Sequence, residues 1–165
     1  MYKFTGFTQK ANISLNTAVK YAENLGHTYI GSEHLLLGLL ATEDSVAYTA
    51  LSSAGVTAQK VEEIIRESVG VGTPTVLTPN DFTPRSKNII EKSISAARGM
   101  GQAYVGTEHI LIALINDSSC YAMNIIEQLG VHAQTVAQDI SNSLSDSQPE
   151  YASKGSASQK QNAET

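Results

Sequence analysis

The sequence predicts an all-α chain in which two tandem four-helix repeats form one pseudo-twofold, eight-helix domain, and three observations carry that prediction. Residues 7–69 align onto 82–144 without a gap at a constant offset of 75, and 18 of the 63 pairs are identical. Loops normally drift in length, so an ungapped register this long marks one structural unit written twice. Within each copy, apolar residues recur at helical spacing between capping residues and glycine stops. No segment shows the sustained alternation of a strand.

The elements follow in order. Thr8 and Thr83 stand where an N-cap is needed, and Pro84 suits the first helical position, where a missing N–H costs nothing. The first helix runs to about Leu25 or Met100, and Gly26 and Gly101 supply the left-handed stop. A short connection, His27 to Gly31, leads to Ser32, or Thr107 in the second copy, as the next N-cap. The second helix, Glu33 to about Thr42, carries Leu36, Leu39 and Leu40 as its core stripe. A third spans about Ser45 to Ala54 and stops at Gly55. A fourth begins near Thr57, with Val61, Ile64 and Ile65 on one face. Repeat one is thus 7–69 and repeat two 83–144, joined by a linker, 70–82, rich in Gly and Pro. Residues 145–165 contain no Leu, Ile, Val or Phe and are expected to be disordered.

Composition narrows the function. The formal charge of the 165 residues is −5, and no segment is basic enough to neutralise a row of phosphates, so nucleic acid is not an expected partner. The longest apolar stretch, Leu35 to Ala41, is too short to span a bilayer, and the N-terminus lacks a signal-peptide core. A soluble, cytoplasmic protein with no membrane partner is expected. The single cysteine, Cys120, excludes an internal disulfide and reads as a small apolar residue inside a helix.

The most distinctive string is Tyr29-Ile30-Gly31-Ser32-Glu33-His34-Leu35-Leu36, repeated as Tyr104-Val105-Gly106-Thr107-Glu108-His109-Ile110-Leu111. Each copy is preceded by Phe-Thr and followed by Gly-Val, within Ala54-Gly55-Val56 in the first and Leu129-Gly130-Val131 in the second. This ordered set resembles the double Clp repeat at the start of the ClpC, ClpA and ClpB AAA+ unfoldases, with the ClpC branch most similar, over about 7–144. The resemblance implies a substrate- and adaptor-recognition module of an unfoldase that feeds a protease, acting with the ATPase in cis or in trans. In the ClpC branch it further implies a reader of phosphoarginine on marked or misfolded clients. The ligand-binding positions that carry over are Thr8 and Glu33 in the first copy and Thr83 and Glu108 in the second.

That assignment has a physical rationale. Phosphoarginine is anionic at one end and a cationic plane at the other. Free N–H groups at a helix start, with a capping hydroxyl, suit the phosphate, and a carboxylate suits the guanidinium. Each copy supplies one of each, so one pocket per copy is expected. Lys10 and Arg85 are the nearby cations, and the replacement of Gly38 by Ala113 suggests pockets of unequal strength.

Blander roles stand beside these. Thr8 and Thr83 are good caps on their own, and an acid at the first helical position, as Glu33 and Glu108 are read, favours the helix dipole. His34 and His109 do not form His-Glu-x-x-His, so no metal site is expected, and they read as partly buried imidazoles tying the second helix to its loop. Tyr29 and Tyr104 read as packing residues, and Gly31 and Gly106 as sites of close approach or positive φ. No Gly-x-x-x-x-Gly-Lys-[Ser/Thr] loop, nucleophile elbow or Ser-x-x-Lys pair occurs, so neither a catalytic residue nor a cofactor is expected. The alternative reading is a stand-alone helical protein that docks on an unfoldase or adaptor without a ligand pocket.

Overall fold

The computed structural model describes residues 1–146. Eight α-helices occupy them: α1 Gln9–Asn24, α2 Ser32–Ala41, α3 Val46–Ser53, α4 Ala58–Ser68, α5 Pro84–Gly99, α6 Thr107–Ile115, α7 Tyr121–Gln128 and α8 Ala133–Asp146. A single 3₁₀ turn, Pro79–Asp81, interrupts the linker. Helix α8 enters the segment expected to be disordered by two residues, and the rest of that segment lies outside the described residues.

The helix starts obey the cap logic. Thr8 Oγ1 accepts from Ala11 N at 3.1 Å, and Thr83 Oγ1 from Ser86 N at 3.0 Å. Ser45 and Thr57 cap α3 and α4 in the same way. Gly26 and Gly101 end α1 and α5 at φ 74° and 73°. The second helices depart from expectation. Their N-caps are Gly31 and Gly106, one residue earlier than Ser32 and Thr107, which puts Glu33 and Glu108 at the second helical position. Cys120 is also corrected: it is buried but stands just before α7 as its N-cap, not inside a helix.

The displaced hydroxyls have another use. Ser32 Oγ accepts from Ala122 N, in the first turn of α7, at 3.0 Å. Reciprocally, Thr107 Oγ1 accepts from Ala47 N, in the first turn of α3, at 3.2 Å. Each copy therefore caps a helix of the other. Two isolated bridges repeat the exchange, pairing Phe7 with Val105 and Ile30 with Phe82. Helix α8 packs most extensively on α3 of the opposite copy. One apolar core, including Leu15, Leu36, Ile65, Ile89, Leu111 and Ile126, runs through both copies.

Candidate functional site

The bridges decide which threonine meets which acid. Thr83 N donates to Ile30 O at 3.0 Å and Ile30 N to Asp81 O at 2.9 Å, so the start of α5 lies against the loop that leads to Glu33. Thr8 N donates to Val105 O at 2.9 Å and Val105 N to Gly6 O at 2.9 Å, so the start of α1 lies against the loop that leads to Glu108. One pocket per copy was expected. Instead, the backbone brings Thr83 to the Glu33 loop and Thr8 to the Glu108 loop, and each of these neighbourhoods is assembled from both copies.

Both acids are buried, Glu33 at 4% exposure and Glu108 at 1%. Glu33 folds back over Gly31, where a Cβ would overlap its Oε1. The need for glycine there is thus the space the carboxylate fills, since Gly31 has an ordinary φ of −97°. Tyr29 donates its hydroxyl to Glu33 Oε2 at 3.2 Å. Burial pushes the Glu33 carboxyl above its usual value, against the opposing pull of its own backbone N–H, Tyr29 and His27. Burial likewise pushes Tyr29 up to about 12, helped by the charge and hydrogen bond of Glu33. In the second copy, Tyr104 is 45% exposed and is not the packing residue the sequence suggested.

The histidines bear out their structural role and extend it. Gly31 N donates to His34 Nδ1 at 2.9 Å, and Gly106 N to His109 Nδ1 at 2.8 Å. Both rings are completely buried rather than partly so. Because His34 Nδ1 accepts, its Nε2 carries the proton and donates to His27 Nδ1 at 2.8 Å. His27 Nε2 then donates to Gly70 O at 2.8 Å, fastening the start of the linker. Burial, then the proximity of His27, lowers the His34 pKa to about 3, so the ring is neutral. His27, stacked on Tyr29 at 5.6 Å, was missed from sequence because its partner lies across a loop and its counterpart in copy two is Gln102. Among the described residues, no group of three or more His, Cys, Asp or Glu is arranged to hold a metal ion.

The cations near the two threonines are engaged. Lys10 Nζ donates to Asp44 O at 2.7 Å, while Arg85 Nη1 reaches Asp117 at 2.8 and 2.9 Å and Ser119 Oγ at 2.9 Å. No helix of the described residues is long and apolar enough to cross a membrane.

The comparisons with known proteins agree with this architecture. The Clp repeat (R) N-terminal domain pattern matches residues 6–80 and again 81–165. The chain is 35% identical over 162 residues to the chaperone protein ClpB of Oceanobacillus iheyensis, covering 98% of this chain and 20% of that protein. It is 37% identical over 137 residues to the negative regulator of genetic competence ClpC/MecB of Bacillus subtilis, covering 83% and 17% respectively. The chain therefore spans about a fifth of the length of these relatives. Among solved structures, the N-terminal domain of ClpD from Arabidopsis thaliana superposes with a TM-score of 0.68 at 23% identity, over 86% of this chain and 99% of that one. The ClpV N-domain in complex with a VipB peptide superposes at 0.64 and 19% identity, over 87% and 89%. With two matched repeats and the eight-helix fold of these neighbours, the chain belongs to the Clp repeat N-terminal domain family.

Proposed function

We propose that the domain recognises protein clients, and the adaptors that deliver them, for a Clp-type AAA+ unfoldase in the cytoplasm, by binding and not by catalysis. The finer part of the proposal is that Thr83 with Glu33, and Thr8 with Glu108, read phosphoarginine. One observation carries it: the backbone bridges that bring each threonine-capped helix start to the loop before the opposite copy's acid. Free N–H groups at α1 and α5 then serve the phosphate and the acids serve the guanidinium. A solved ClpV N-domain holds a VipB peptide, which supports protein recognition by this fold. At Glu33 the ligand must displace the Tyr29 hydroxyl to reach the carboxylate.

The test is calorimetry with a phosphoarginine peptide. Glu33→Gln with Glu108→Gln should abolish binding while the melting temperature stays within a few degrees, since Gln keeps the shape. Unchanged affinity in the double variant would remove the reader role. A second reading, docking of an adaptor or unfoldase without a ligand pocket, is favoured by the burial of both carboxylates. It predicts that adaptor binding survives in the double variant and that the wild-type chain ignores the phosphoarginine peptide.

A further inference from the structure

The C-terminal ends of α1 and α5 correspond in the repeat but are covered differently. In the first copy the linker lies over the end of α1. Gly72 N donates to Leu25 O at 2.8 Å, Thr75 N to Glu23 O at 3.3 Å, and Leu77 N to the Glu23 carboxylate at 2.8 Å. Leu77 is buried, and a Cβ on Gly26 would overlap the backbone of Gly72. The end of α5 is open among the described residues. A Cβ on Gly101 would meet none of them within 4 Å beyond its chain neighbours, and Met100 is 43% exposed where its counterpart Leu25 is 2% exposed. A pocket of about 200 Å³ lies here, between α5, the loop that follows it and residues 5–7.

Three features define its chemistry. Ile94, Ala97 and Val105 supply an apolar wall. Gln102 stands where the first copy has His27, and its Oε1 is buried with no hydrogen-bond partner among the described residues. A desolvated oxygen of this kind is costly until a donor reaches it. Arg98 stands where the first copy has Glu23, which reverses the charge. Its guanidinium makes no ion pair or hydrogen bond among the described residues, and every other residue of the lining is neutral. At the corresponding corner the first copy buries an aliphatic residue, Leu77, whose N–H an acid takes. The second copy instead offers an aliphatic wall, an acceptor for an N–H and a cation for a carboxylate. The volume lies below the roughly 300–1,000 Å³ of pockets that take drug-sized ligands, so the guest is small.

We propose that this pocket binds an aliphatic α-amino acid unit with a free carboxylate, either as the free amino acid or as the last residue of a chain. The carboxylate meets Arg98, the α-nitrogen donates to Gln102 Oε1, and the side chain seats against Ile94, Ala97 and Val105. The pocket shares no residue with the threonines and acids above, so it is independent of phosphoarginine reading.

The test titrates the whole chain, labelled with ¹⁵N, with L-leucine and follows it by NMR. Saturable shifts at Arg98 Nε, the Gln102 side-chain amide and the backbone amides of Ala97 and Val105 are expected, with a Kd of about 1 mM or below. Leucinamide, which lacks the carboxylate, should bind at least about tenfold more weakly, and so should glycine, which lacks the side chain. Arg98→Glu, which restores the residue of the first copy, should weaken leucine binding at least about tenfold, and Gln102→Leu about fivefold by removing the acceptor. Arg98 is exposed and Leu is close to Gln in size, so the melting curves of both variants should overlay that of the parent. N-acetyl-leucine separates the two sources: retained affinity assigns the pocket to the last residue of a chain, and lost affinity assigns it to the free amino acid. No saturable shift at the pocket, equal binding of leucinamide, or indifference to Arg98→Glu would each overturn the proposal.

Discussion

The two copies share their caps, glycine stops and core stripe, yet they treat their interior polar groups in opposite ways. The first copy is tied together internally. Asn12 and Asn16 clamp residues 2–4 through Phe4 and Tyr2, at 2.6 to 3.1 Å. Ser14 meets Thr42 between the helices, and His34 passes through His27 to the linker at Gly70. Gly72 N donates to Leu25 O at 2.8 Å and lies so near Gly26 that neither tolerates a side chain. The second copy has Lys87, Glu91, Ile89 and Gln102 in the corresponding places, and its ion pair between the first two helices' ends, Arg85 with Asp117, is exposed on the arginine side. Duplication preserved what builds helices and released what lies between them.

The sharpest way to break this contrast is to give the first copy the residue of the second. Gly38→Ala should cost about 1–3 kcal/mol by forcing α1 from α2, seen as a lower denaturant midpoint with an unchanged slope. The reverse change, Ala113→Gly, should cost only about 1 kcal/mol through helix propensity. Equal losses from the two would show that the helix contacts do not differ. Smaller effects are expected where the copies are alike: Ser32→Ala and Thr107→Ala should each lose about 1 kcal/mol, because each hydroxyl caps a helix of the other copy. A substantial loss from only one of them would break the reciprocity.

The smallest effect near neutrality concerns His34. Its folded pKa of about 3 lies below the unfolded value of about 6.5. The unfolded chain therefore binds the proton first, and the stability this buried ring contributes is complete above pH 6.5 and is lost as the pH falls towards 3. Its ring resonances should hold their neutral positions from pH 8 to below 5 in NMR titration. A midpoint near 6.5 would mean that the ring is not sealed.

Much of this was legible in the sequence because it is local. Thr8, Thr83 and Pro84 start helices, and Gly26 and Gly101 stop them, by rules that act within a turn. The failures share one cause, which is contact with the opposite copy or across a loop. Ser32 and Thr107 have good capping side chains, but those side chains are claimed by α7 and α3, and the cap falls to a glycine. The pairing of Thr8 with the Glu108 loop, and of Thr83 with the Glu33 loop, depends on bridges between segments about 100 and 50 residues apart, where spacing says nothing. The burial of the two acids was equally invisible, since an acid in the first turn usually faces water.

The exchanged hydroxyls of Ser32 and Thr107 bear on ancestry. A lone four-helix unit would leave a first-turn N–H of its third helix, Ala47 or Ala122, without a side-chain partner and would expose the hydroxyl of its second helix that fits such a group. Two identical units can satisfy each other about a dyad, as an isologous interface requires. The arrangement is that of a symmetric homodimer whose subunits became joined end to end, with residues 70–82 as the seam.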